Sequence, residues 1–177
     1  HLETLKTRPL YIPPMGYYFG GARPTADGKY VIAELREDLS DRIQANLSAG
    51  YIGMRDIWEA KPHSQILRID VETREVKIVW DEEYWVGHVN PSPTQGNLIT
   101  FCHEGPWHMV DHRIWLLDLE TGDVKKIRER KNEFELVGHE YWLADGVHIG
   151  YQVHERRPES STSAFGFAHI DGTIVRE

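Results

Sequence analysis

The 177-residue chain has one cysteine, Cys102. That excludes an intramolecular disulfide and fits a reducing compartment. No apolar run approaches the roughly 18 residues that a membrane-spanning helix needs, so a membrane is not an expected partner. Basic residues are in deficit. Lys and Arg total 20 against 28 Asp and Glu, a net charge of -8. A nucleic-acid binder would show a basic face, so that class is excluded too. An anionic small substrate is not excluded, because a local pocket of Arg, His or metal overrides the global sign. A signal peptide is lacking at His1, but a chain that begins with histidine has lost its natural start, so this end says nothing of localisation.

Against these absences stand 40% apolar and 27% charged residues, ordinary for one soluble domain with a real core. Ten histidines and six tryptophans stand out. Histidines supply acid–base groups and metal ligands; aromatics fill β cores or stack on sugars.

Internal repeats set the architecture. The segments 2–11, 68–80, 116–128 and 168–177 each end one apolar strand, turn through Glu-Thr or Asp-Gly, and start another. Their offsets are 69, 48 and about 50 residues. A second element, "WVGHVNPSPTQGNLITF" at 85–101, matches 136–151 at an offset near 51, with a looser copy at 18–34. Four short strands in about 48 residues is the period of a β-propeller blade. The expected fold is therefore all-β: a β-propeller of four-stranded antiparallel blades, with about three and a half blades along the chain. The extra twenty or so residues of the first unit fall at 36–61, read as a weakly helical rim insertion. A fan of that size leaves an open edge, so the expected partner is the remainder of a larger propeller or another copy of the chain. The competing fold is a β-sandwich of repeated hairpins.

Gly87-His88 and Gly138-His139 occupy the same place in successive repeats, so both histidines should face one channel mouth. In the first unit this place falls near Phe19-Gly20. The bland alternative is a structural GH pair bonded within its blade. Asp70 and Asp118 read as turn residues, and Trp58, Trp80, Trp85 and Trp115 as packing. Between "LITF" and "RIWLLD" a hairpin needs two to five residues, yet about eleven, Cys102 to His112, stand there. Loops of this length tend to be functional. His103, Glu104, Asp111 and Arg113 are its candidate ligand-binding groups.

At "VGHVNPSPTQGNLITFCHEGPW", "DHRIWLLDLETGDVKKI" and "GHEYWLADG" the chain resembles the oligogalacturonate lyases of polysaccharide lyase family 22. The resemblance covers about residues 66 to 150, and the hairpin starting at Leu2 also fits. It implies part of a seven-bladed propeller from a bacterial, mostly cytoplasmic, manganese-dependent family that cleaves short pectin fragments by β-elimination. It also implies that His88, in the first GH, is the base and that His139, in the second, is a Mn²⁺ ligand. Removing a weakly acidic proton beside a uronate carboxylate needs a base and a neutralised carboxylate, which suits histidine with a divalent cation or an arginine. On this resemblance His88→Ala should lower turnover by orders of magnitude and leave folding nearly unchanged.

Two departures follow. The family's other metal ligands form a Q-x-x-H-x-H pattern in a later blade. Gln152 and His154 have the wrong spacing, and the chain stops before the expected place, so a tight site is expected only with ligands beyond residue 177. The family's catalytic arginine aligns with His63, or with Arg68 if the register slips. A protonated His63 binds a carboxylate less firmly than an arginine fork. The expected substrate is an anionic, uronate-containing oligosaccharide. The alternatives are a sugar-binding or scaffold propeller without turnover, or an interaction propeller of the WD type.

Overall fold

A computed structural model describes residues 3–177. Twelve strands form three four-stranded antiparallel sheets, each a meander in chain order. The first holds β1 (Tyr17–Pro24), β2 (Tyr30–Glu37), β3 (His63–Asp70) and β4 (Val76–Glu83). The second holds β5 (Val86–Pro91), β6 (Leu98–His103), β7 (Trp115–Asp118) and β8 (Val124–Lys126). The third holds β9 (Glu135–Trp142), β10 (His148–Arg157), β11 (Ser160–His169) and β12 (Ile174–Arg176). These are the blades that the repeats predict.

The blades stack because their middle strands are apolar on both faces. On β2, Ile32 packs toward the second blade while Ala33 and Leu35 face the other way, the two-residue period of a strand. Ile32 and Ile66 meet Val86, Ile99, Phe101 and Leu117 in the core between the first two blades. Ile114, Leu116 and Ile127 meet Val137, Ile149 and Tyr151 between the second and third. Burying that apolar area on both sides of a sheet is the main favourable term holding such a stack. Trp80 and Trp115 pack on Phe101, with ring centroids 5.4 and 6.2 Å away, as packing residues should.

The turn reading of the aspartates also holds. Asp70 Oδ1 accepts from the backbone N–H of Glu72 and Thr73 at 2.9 and 2.8 Å. Asp118 repeats this with Glu120 and Thr121 at 2.8 and 3.3 Å. Such Asx contacts satisfy turn amides that the sheet leaves unpaired.

Two expectations change. Residues 3–11 contain no strand, so the described residues hold three blades and no half blade. Pro9 removes an N–H donor there, and Leu10 and Tyr11 instead cover the outer face of the first blade. The insertion contains one short helix, α1 (Met54–Ala60); most of the rest is turn and coil. Cys102 and His103, read as loop, belong to the end of β6. Among the described residues no helix is long and apolar enough to cross a membrane.

Candidate functional site: a charged cavity at the blade ends

The innermost strand of each blade breaks its ladder at the same place. β1 slips between Phe19 and Gly21, β5 between Gly87 and Asn90, and β9 opposite Tyr151. These are β-bulges, which re-aim side chains and gather beside active sites. At the bulges His88 and His139 take φ values of 53° and 49°, a left-handed backbone that non-glycine residues rarely adopt. In the first blade the bulge falls at Gly20, where an added Cβ would lie 1.7 Å from Glu34 Oε1. The GH equivalence read from the repeats is therefore an equivalence of bulges.

Above the bulges lies a cavity of about 610 Å³. Its floor includes His88 and His139. The β6–β7 loop lines it with Glu104, Trp107 and Arg113, and the insertion lines it with Leu47, Tyr51 and Met54. Trp58 of α1 ties loop and insertion together. Its indole N–H donates to Tyr84 Oη at 2.9 Å, and its ring lies so close over Gly105 that an added Cβ would be 2.4 Å from Cδ1.

His88 is the hub of the charges. Its Nε2 lies 3.2 Å from Glu104 Oε2, and its Nδ1 lies 3.2 Å from Glu140 Oε1. Glu104 and then Glu140 push the imidazole up to about 10, against the effect of burial. Burial alone would raise Glu104, but His88 and Arg113 outweigh it and hold the carboxyl down at about 2. The Arg113 guanidinium donates to Glu104 Oε1 at 2.7 Å and lies over the Trp107 ring. Glu140 has a fully buried side chain, and neither of its oxygens makes a directional hydrogen bond. Adjacent strand residues point to opposite faces, and Glu140 meets His88 rather than joining His139.

The other predicted residues separate. His139 lines the cavity, and its Nδ1 is 2.8 Å from the Gln152 side-chain oxygen. An Nδ1–H donated to that oxygen leaves the Nε2 lone pair free to bind a metal. Arg113 and Glu104 line the cavity. His103 is turned away: Nδ1 meets Asp111 at 2.6 Å, Nε2 meets Glu82 at 3.1 Å, and the ring stacks on Tyr84. His63 is also elsewhere, bonded to Tyr17 Oη at 2.7 Å and Asp81 at 2.9 Å, and it does not line the cavity. It opens β3, on the side of its sheet that meets Tyr17 and β4, so the alignment with the family's arginine does not bring it to the site. Arg68 pairs across the sheet with Ile32 and Lys77 and stacks on Tyr30. Sequence reasoning missed Glu34, Arg36 and Arg156, which line the cavity, and Glu140 behind it. Glu140 follows the second GH, but the bulge that aims it at His88 leaves no mark in the pattern; the others carry no motif.

Two sets of groups bear on a metal. His88, Cys102 and Glu140 have ligand atoms within 4.8 Å of one another. Cys102 is fully buried, and burial pushes its thiol well above the usual range. A thiol is a soft ligand, so this trio does not fit Mn²⁺. His139, held by Gln152, fits one imidazole position of such a site.

The relatives agree with this picture. A family model described as oligogalacturonate lyase matches residues 37–169. The oligogalacturonide lyase of Pectobacterium atrosepticum is 31% identical over 100 residues, 55% of this chain and 26% of that protein. The oligogalacturonate lyase of Dickeya dadantii is 31% identical over 97 residues, 55% of this chain and 25% of its own length. The chain thus matches about a quarter of the length of these relatives. Among solved structures, an oligogalacturonate lyase in complex with manganese superposes with a TM-score of 0.84 at 23% identity, over 96% of this chain and 44% of the other. The oligogalacturonate lyase of Vibrio parahaemolyticus gives 0.74 at 24% identity, over 97% and 49%. The β-propeller domain of a Pyrococcus furiosus protease gives 0.56 at 20% identity, over 92% and 42%, which supports the fold alone. With three quarters of its length matched, the chain belongs to the oligogalacturonate lyase family.

Proposed function

We propose that this chain supplies part of the active site of a lyase acting on oligogalacturonate or a similar uronate-containing oligosaccharide. The observation that carries this reading is the cavity's charge. Arg36, Arg113, Arg156 and the charged His88 line it against the carboxylates of Glu34 and Glu104, in a protein of net charge -8. A cationic cleft on an acidic protein concentrates an anionic substrate.

In β-elimination the proton leaves the carbon beside the uronate carboxylate, the electrons form the new double bond, and the glycosidic oxygen departs. His88 takes that proton in our reading. Its two carboxylate partners keep it charged at neutral pH, so the neutral, proton-accepting form is reached on the alkaline side. Arg113, fixed by Glu104 and stacked on Trp107, holds a positive charge against the anionic substrate. Trp107 excludes water from one side of the cavity. A bound divalent cation such as Mn²⁺ supplies charge neutralisation at the substrate carboxylate, and His139 would hold it, oriented by Gln152. The remaining ligands come from outside this chain in our reading, as does the rest of the propeller. The protein that contains the chain is a cytoplasmic bacterial enzyme in the same proposal.

A second reading, a sugar-binding propeller without turnover, has one observation in its favour: His88 is locked between two carboxylates. Mass spectrometry of the products separates the two. Elimination yields fragments whose masses sum to that of the substrate, and hydrolysis would add a water. Unchanged substrate supports the binding reading.

A further inference from the structure

The cavity contains a largely buried guanidinium, Arg36, with no hydrogen-bond partner at its Nε. Arg36 stands near the end of β2, two residues after Glu34, and so on the same face of the strand. Its side chain is 14% exposed. Buried cations are ordinarily paired, because desolvating an unpaired one is costly. Yet Arg36 Nε is buried without a hydrogen-bond partner. The nearest carboxylate oxygen, Glu34 Oε1, lies 3.8 Å from a terminal nitrogen, beyond hydrogen-bond reach. Burial also pushes the Glu34 carboxyl up toward its neutral form.

Two aromatic rings hold the guanidinium instead. Its Cζ is 5.1 Å from the centroid of Tyr18 and 5.4 Å from that of Trp85. Such clamping fixes orientation while leaving the in-plane N–H donors unspent. Arg113 differs, because Glu104 already occupies it. Arg36 and His88 line the same cavity from neighbouring blades.

We propose that Arg36, held between Tyr18 and Trp85, is the group that receives a uronate carboxylate in this cavity. The proposal rests on the reading of the cavity as a uronate site. A planar fork of donors matches a carboxylate with two parallel hydrogen bonds. The position that sequence alignment gave to His63 is thus served from a different strand, by the penultimate residue of β2. Glu34 lies beside it with a weakened negative charge, and so does not displace the ligand.

The test is calorimetric binding of digalacturonate and of its neutral methyl ester to the 177-residue chain. The wild-type chain should bind the free acid at least tenfold more tightly than the ester. Arg36→Gln should abolish that preference, and Arg36→Lys should retain part of it. The lysine keeps a cation between the rings, so it decides the matter if the glutamine variant does not fold. A purely structural arginine would leave the acid-to-ester ratio unchanged in every folded variant, and that result overturns the proposal. So does a wild-type chain that fails to distinguish the two ligands. If the acid preference depends on Arg36 while the complete propeller carrying this chain forms no unsaturated product, the lyase reading fails and the carboxylate site stands.

Discussion

His88 of the second blade and Glu140 of the third meet across the blade boundary, Nδ1 to Oε1, at 3.2 Å. Each stands on a β-bulge, and the bulges are what bring a buried carboxylate to an imidazole on a neighbouring strand. The contact changes the expected behaviour of His88→Ala. Glu140 would keep its buried carboxylate and lose the one cation within 4 Å of it among the described residues, leaving the more distant charge of Arg113. Leaving a buried polar group unsatisfied costs about 1–3 kcal/mol, so the variant should be destabilised by that order. A urea midpoint equal to that of the wild type would show that the pair carries no stability.

The same pair sets a pH dependence. The folded protein raises His88 from 6.5 to about 10. Its contribution to stability is therefore fully present below the unfolded value and is lost as pH rises through about 10. Glu104 is lowered from 4.5 to about 2, so its contribution is present above 4.5 and is lost as pH falls through about 2. Urea midpoints against pH should fall on the alkaline side, and His88→Gln should flatten that limb. Turnover should move the opposite way, rising with pH as neutral His88 accumulates. A rate that is flat from neutral pH to about 10 would count against His88 as the base.

Gly105 has φ 140° and lies under Trp58. Gly105→Ala sets a methyl group against the indole, and substitutions where the backbone and space are both wrong cost more than about 1 kcal/mol. The expected result is a loosened β6–β7 loop, seen as faster amide exchange at residues 104–113 and weaker ligand binding. Unchanged exchange would mean that Trp58 does not pin the loop.

Gln152 orients His139. In a complete propeller that binds Mn²⁺, Gln152→Ala should weaken the affinity by about 10–100-fold, and His139→Ala should weaken it further. The 177-residue chain alone should bind Mn²⁺ weakly. Tight calorimetric binding by the chain that survives His139→Ala would place the metal elsewhere.

The four-stranded blade unit, the turn aspartates and the GH equivalence were legible because they repeat, and a repeat reports the local structure that each copy must adopt. The separation of His103 from Glu104 was not legible. Both stand in one motif, but His103 ends β6 and pairs with Asp111 and Glu82, whereas Glu104 turns into the cavity. His63 misled for a related reason. Alignment gives a position along the chain, and the sheet decides which way it faces. Arg36 carries no motif at all, since its role comes from Tyr18 and Trp85, 18 and 49 residues away in sequence. The strand alternation rule kept Glu140 apart from His139, and the bulge, invisible in the pattern, took it to His88.

The most direct test of the account follows the ultraviolet absorbance of the carbon–carbon double bond that elimination creates beside the carboxylate. The complete propeller carrying this chain is mixed with oligogalacturonate, alongside its His88→Ala variant. The account predicts a steady rise in absorbance for the wild type and a rate lower by about 10²–10⁴-fold, the usual contribution of a general base, for the variant. Equal rates in the two proteins would contradict it.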